Sequence, residues 1–232
     1  MSGSIGDPLT TLQLEPSVIA TGFMNNGLNA SVLPGQVASL TSSNNYINFC
    51  LTIPGASFRA PFNSSQVSCN PAPMGVLPSI DDMLGCKFIV PQNMGNIRTS
   101  SAFVIQVAIT GINSSFRTQP INNYLAAPQH LDNNGRVQGH LVVVIEAIDS
   151  IDSTVPTDPK KFAFFTAMSG PANGPLMAVV NNGLPAGVYR AAALMQTANH
   201  APVLSPIEQH GASTDHVYFT VSEYDFNSPC IG

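Results

Sequence analysis

The chain has 232 residues, 44% of them hydrophobic, with no Trp, only 9% charged residues and a formal net charge of -5. A charged fraction far below the roughly 25% usual for soluble domains, with no block of basic residues, excludes nucleic-acid and anionic-membrane partners, which require Lys and Arg to neutralise phosphates. The ordinary apolar fraction and small net charge also exclude a disordered chain.

The first four residues, Met1-Ser2-Gly3-Ser4, carry neither a basic region nor an apolar core, so no signal peptide stands in the sequence as written. Read literally this means cytoplasm; the other reading is a mature secreted chain whose leader a start Met replaces. A surface built from Asn, Ser, Thr and Gln with only three Lys favours the second. Two long stretches without formal charge, Glu15 to Arg59 and Lys161 to Arg190, are broken by Asn, Ser, Pro and Gly well short of the ~20 apolar residues that a spanning helix needs. No membrane span is expected.

In chain order, strands are expected at Tyr46 to Ile53, Lys87 to Val90, Phe103 to Ile109, Gly139 to Glu146, Lys161 to Thr166, Leu176 to Val180, Val188 to Leu194 and His216 to Val221. The run Gly139 to Glu146 is rich in β-branched residues and almost continuously apolar, the mark of a strand buried on both faces. Helical periodicity is nearly absent. One short helical turn is expected around Ser79 to Leu84, with Ser79 as its cap and Asp81 and Asp82 favoured by the helix N-terminus.

Asn-Asn-Gly at Asn25-Asn26-Gly27, Asn133-Asn134-Gly135 and Asn181-Asn182-Gly183 marks three hairpin turns, since Asn-Gly suits central positions of positive φ. Leu184-Pro185-Ala186-Gly187-Val188-Tyr189 matches the tyrosine corner, in which a Tyr hydroxyl returns to the backbone just upstream. An ordinary Pro-Gly turn followed by a buried Tyr is the plainer reading. Short strands at close intervals predict an all-β fold, a single-domain antiparallel β-sandwich of Ig-like or Greek-key type over residues 1–232, with long loops and at most short helical turns. Residues 1–15 are read as a loosely ordered N-terminal segment and 223–232 as a C-terminal tail.

Cys50, Cys69, Cys86 and Cys230 form an even set without Cys-x-x-Cys spacing, which speaks against a zinc ribbon or a dithiol redox site. Of the three connectivities open to two disulfides, Cys50 with Cys69 and Cys86 with Cys230 is favoured, because the second bridge would tie down the tail. Four reduced thiols is the alternative. Glycosylation sequons stand at Asn29, Asn63 and Asn113, a number that the Asn, Ser and Thr content yields by chance.

Five His residues are present, and His140, His200, His210 and His216 are the candidate metal ligands, for copper or zinc, if their loops converge at one end of the sandwich. Asp215 is a candidate supporting group. No His-x-His or His-Glu-x-x-His occurs, so hydrogen-bonded structural histidines are the simpler account. Met168, Met177 and Met195 carry thioethers suited to copper(I), but Met as core filler is the commoner role. Ser213, His210 and Asp215 are close in sequence without the Gly-x-Ser-x-Gly elbow of a hydrolase. Glu146, inside an apolar strand, is a candidate buried carboxylate with a raised pKa, and with Glu208 it is the basis for a carboxylate-based glycan hydrolase. The lack of Trp argues against sugar stacking on exposed rings.

The segments Gly35 to Cys50 (ending Asn-Asn-Tyr-Ile-Asn-Phe-Cys), Ser68-Cys69-Asn70-Pro71-Ala72-Pro73-Met74-Gly75, Ala198-Asn199-His200-Ala201-Pro202 and Gln209-His210-Gly211 resemble a group of secreted fungal proteins, common in mushrooms and moulds, with no established activity. The resemblance runs from about Asp7 to Val221. It implies a cleaved leader, an oxidising compartment and association with the hyphal surface. Members of the group carry Gly-His-Ser-His where this chain has Gly139-His140-Leu141-Val142, so a metal ligand at the second His would be missing here. The expected function is that of a secreted extracellular or cell-wall-associated β-sandwich protein acting by binding a glycan or protein partner or by surface structure. The alternatives are the His-ligated metalloprotein and the hydrolase.

Overall fold

The computed structural model describes residues 7–25, 41–52, 57–58, 68–120, 124–125, 127–170 and 174–223. Asn26, Gly27, Asn29, Asn63 and Cys230, each named above, lie outside the described residues. The chain divides into two compact units, 1–71 and 72–232.

The first unit holds three 3-10 turns, Pro16–Val18, Thr21–Met24 and Phe49–Thr52, and two short parallel strands, β1 (Ser57–Phe58) and β2 (Ser68–Cys69). Of the strand expected at Tyr46 to Ile53, the described residues 46–52 are instead turn and 3-10 helix, and Ile53 lies outside the described residues. Asn45 and Tyr46 both have positive φ, at 55° and 60°, so the first residue of the expected strand is left-handed and not extended. The Asn45 amide holds that turn, accepting from Ala20 N at 2.8 Å and donating to Val18 O at 2.6 Å. Cys50 and Cys69 are joined in a disulfide with Cα atoms 5.6 Å apart, the first of the two bridges expected.

The second unit contains β3 (Gly85–Val90), β4 (Gly95–Arg98), β5 (Phe103–Thr110), β6 (Ile112–Asn113), β7 (Val137–Ile148), β8 (Phe164–Met168), β9 (Leu176–Val180), β10 (Gly187–Thr197) and β11 (Thr214–Ser222). They form a three-stranded antiparallel sheet, β3-β5-β9, and a six-stranded mixed sheet in the order β4-β11-β10-β7-β6, with β8 also paired to β7. The pairings β4–β11 and β6–β7 are parallel. The architecture is all-β and sandwich-like, as the strand spacing implies. Ser79 caps its 3-10 turn (Ile80–Asp82) by accepting from Asp81 N.

Between the sheets lies one core, with Phe88, Ile105 and Val107 from the smaller sheet meeting Leu141, Val143, Ile145, Ala191, Ala193, Val217 and Phe219 from the larger. Full burial of each large apolar side chain is worth about 1.5–3 kcal/mol, which makes this cluster the main source of stability. β7 is the central strand and is buried along both faces, as its composition predicts. The tyrosine corner is formed: Tyr189 is buried and its hydroxyl donates to Pro185 O at 2.9 Å.

Asn134-Gly135 turns the chain back between Leu131 and Val137, with Gly135 at φ 79°. Asn182-Gly183 does not make a hairpin. It carries the chain from β9 in one sheet to β10 in the other, and Gly183, at φ 61°, packs so closely on Ser100 and Ser101 that a Cβ there would collide with their backbone.

A buried polar cluster around His140 and His200

Seven polar or charged side chains are buried among the described residues, and six of them, Ser114, Gln129, His140, Thr197, Asn199 and His200, belong to segments that meet at one end of the six-stranded sheet. This is where β7 begins and β10 ends. His140 alternates with the core residue Leu141, so it projects from the opposite face of the sheet, beside its cross-strand neighbour Gln196. Gly139 allows β10 to approach; a Cβ there would collide with the Gln196 carbonyl.

The loop after β6 covers that face. Phe116 N donates to Gly139 O, and the Thr118 backbone N–H and hydroxyl both donate to Ala198 O at 2.9 Å. Opposite, Thr197 to Ala201 form a tight turn: His200 N donates to Thr197 O at 3.0 Å and Ala201 N donates to the Thr197 hydroxyl at 3.1 Å. The turn places His200 at φ 69°, and Leu125, whose N–H donates to Asn199 O, is also left-handed at φ 54°. Non-glycine residues held in this region are uncommon and gather at functional positions.

The rings of His140 and His200 meet edge to face with centroids 4.8 Å apart, and Tyr124 stacks on the far side of His200 at 6.0 Å. His200 Nε2 lies 2.9 Å from Thr118 O. A carbonyl can only accept, so Nε2 carries the proton and Nδ1 keeps a lone pair. His140 is fully buried, and neither of its ring nitrogens has a hydrogen-bond partner. Burial, with the charges of His200 and Arg117 adding to it, holds the His140 pKa down at about 4, and burial also lowers that of His200. Both imidazoles are therefore neutral at pH 7.

The other two candidate ligands are elsewhere. His210 is exposed in the loop before β11, lining a small depression with Met83, Val203 and Ser213. His216 is exposed on β11, opposite Ala192 and near Glu146. Among the described residues no group of three or more His, Cys, Asp or Glu gathers closely enough to hold a metal ion. Asp215 supports neither His210 nor a triad, because its carboxylate accepts from Lys87 Nζ at 3.1 Å and from Phe88 N at 2.8 Å. Met168 and Met195 are buried in the core and Met177 is exposed.

Glu146 corrects the expectation of a raised pKa. Burial pushes its carboxyl up, but hydrogen bonds from Thr157 and Arg190, together with the charge of Arg190, outweigh that and hold it below the ordinary carboxylate range. Arg190 donates to Glu146 Oε2 from two nitrogens, at 2.6 and 3.1 Å. A carboxylate so committed is a poor proton donor near neutral pH, and Glu208 stands exposed on a separate loop.

The second expected disulfide involves Cys230, which lies outside the described residues; its other half, Cys86, is a free thiol 3.5 Å from Ser213 O. Burial, then the negative charge of Asp215, pushes its pKa up to about 11. Asn113 lies on β6, where its Nδ2 donates to Asp132 Oδ2 at 2.9 Å.

Arg117, Thr118, Tyr124 and Gln196 were not foreseen as parts of this cluster. Three belong to a loop without periodicity, and only the pairing of β10 with β7 brings Gln196 beside His140.

Residues 86–222 match the CLU5d N-terminal domain family, a span that covers more than half of the chain and nearly all of both sheets. The chain belongs to that family. It is also 32% identical over 213 residues to a protein of the fungus Colletotrichum graminicola, "Pathogenicity cluster 5 protein d", a match covering 90% of this chain and 43% of the relative. The chain thus spans less than half the length of that protein.

Proposed function

We propose, from membership of the CLU5d N-terminal domain family, that the chain is a fungal protein that works outside the cell by binding or by surface structure, without catalysis. The observation that carries this reading is the Cys50–Cys69 disulfide, a bond that persists in secreted proteins and is rare in the reducing cytosol. The scarcity of Lys and the neutral Asn- and Ser-rich composition support it. Among the described residues no helix is long and apolar enough to cross a membrane.

The name of the relative ties that protein to a pathogenicity cluster, which favours a role for this chain where a fungus meets its surroundings. The partner class is a cell-wall or extracellular glycan or protein. A protein partner is favoured, because the chain has no Trp and only five Tyr with which to stack sugars. The second unit supplies a rigid frame, and its long loops are the variable, displayed part.

Expression from the native gene in a filamentous fungus tests this reading. The protein should accumulate in the medium or wall fraction with Cys50 and Cys69 oxidised, and co-sediment with isolated walls through a protease-sensitive partner. Retention in the cytosol with both cysteines reduced would end it.

A further inference from the structure

We propose that His140, His200 and Gln196 form a site for one divalent transition-metal ion of imidazole preference, with zinc(II) as the type. This goes beyond the extracellular reading and does not depend on it.

His140 is the first reason. A fully buried imidazole with both nitrogens unpartnered leaves polar groups desolvated without compensation, so such groups are rare in native proteins unless something binds them. Gln196 and the Phe116 backbone lie beside the ring without closing a hydrogen bond. The ring lies against a second imidazole, that of His200, with the two planes 75° apart.

His200 is prepared in the way metal-bound histidines are. One ring nitrogen donates to a backbone carbonyl, which sets the tautomer and leaves the other free to ligate. The ring stacks on Tyr124, and its backbone is fixed by the left-handed turn at Thr197 to Ala201. This pre-organisation has no evident purpose for a histidine that only fills space.

The separation fits. Two imidazole nitrogens at about 2.0–2.1 Å from one ion, at a near-tetrahedral angle, place their ring centroids roughly 5 Å apart. The observed separation is 4.8 Å, with the ring planes 75° apart. Gln196, paired with His140 across β7 and β10, supplies an amide oxygen as third donor, and an exogenous ligand completes the tetrahedron. The charge of Arg117 nearby favours an anionic exogenous ligand.

The test uses the full-length chain carrying Cys86→Ser, so that the free thiol cannot bind the probe, and titrates it with cobalt(II) followed by zinc(II). One equivalent of cobalt should bind with the intense visible bands of a tetrahedral ion, and zinc should displace it. His200→Gln should abolish those bands. Gln196→Leu should weaken binding at least about tenfold, while His210→Ala and His216→Ala should leave it unchanged. Because His140 is fully buried and its removal would disturb the fold, its contribution is read instead from zinc-induced shifts of its ring resonances in the otherwise intact protein. The proposal is overturned by absence of tetrahedral cobalt in folded protein, by binding that survives His200→Gln, or by zinc that leaves the His140 resonances unmoved.

Discussion

Tyr189 sends its hydroxyl back to the carbonyl of Pro185, 2.9 Å away and four residues upstream, while its ring stacks on Phe219 with centroids 5.7 Å apart. One side chain thus anchors the turn entering β10 and fills the space between the sheets. Tyr189→Phe keeps the ring and removes only the hydrogen bond, leaving a carbonyl short of a partner. The variant should unfold at lower denaturant concentration, with a loss of about 1 kcal/mol. Tyr189→Ala, which also empties the core, should cost about 3–5 kcal/mol. A Tyr189→Phe variant as stable as the parent in a chemical-denaturation series would show that the hydroxyl contributes nothing, and equal costs for the two variants would show the same of the ring.

Glu146 and Arg190 form a largely buried pair on the outer face of the six-stranded sheet, with side-chain exposures of 10% and 29%. The Glu146 carboxyl is held below its ordinary value of 4.5, so the folded state binds a proton less readily than the unfolded chain. Its contribution is complete above that ordinary value and is lost as pH falls through the lower, folded one. Urea midpoints measured down the acid limb should therefore fall less steeply in Glu146→Gln than in the parent. Arg190→Met strands a carboxylate and should cost about 2 kcal/mol at pH 7, less than the 3–5 of a fully buried pair. An acid limb identical in parent and Glu146→Gln would contradict this account.

Cys86 is expected to be chemically quiet. With its pKa pushed up to about 11 by burial and by Asp215, the thiolate fraction at pH 8 is about a thousandth. Alkylation of the native protein by iodoacetamide should be on the order of 100-fold slower at Cys86 than in urea, as followed by mass spectrometry of its peptide. Equal rates in the two conditions, or recovery of Cys86 disulfide-bonded to Cys230, would refute the assignment.

Asn113 should be unmodified in protein passed through a secretory pathway, despite its sequon. The nitrogen that would carry the glycan donates to Asp132, and the following Ser115 hydroxyl is bound to Gly170 O at 2.8 Å. Glycopeptide mapping of material from a eukaryotic secretory host should find Asn113 free. Substantial occupancy there in folded protein would mean that the Asp132 contact is dispensable.

How far the sequence could be read depended on the range of the interactions involved. Hydrophobic alternation, β-branched runs and Leu-x-x-Gly-x-Tyr are local signals, and they located β3, β5, β7, β9, β10, β11, the Ser79 cap and the tyrosine corner. β8 begins three residues later than expected, at Phe164, where its pairing with Ile145 of β7 starts. Tyr46 to Ile53 misled because its apolar residues suit a strand, whereas the left-handed Asn45 and Tyr46 depend on hydrogen bonds to residues some 25 positions earlier. β4 was missed because Gly95 to Arg98 is half-polar and becomes a strand only by pairing with β11, more than a hundred residues away.

By itself, then, the sequence specified an all-β chain with few charges, an even set of cysteines with Cys50–Cys69 among the favoured pairings, and a set of histidines; the Cys50–Cys69 bond itself is a fact of the structure. Only the tertiary structure decided which histidines matter. His140 and His200 are 60 residues apart and become neighbours because β7 and β10 pair antiparallel, while the loop carrying Thr118 and Arg117 closes over them. His210 and His216, closer to His200 in sequence, are carried away by the loop before β11 and by that strand's outward face. The physical reason is that strand register and loop closure bring distant residues together at a cost that depends only weakly on the length of chain between them, so spacing along the chain says little about spacing in the site.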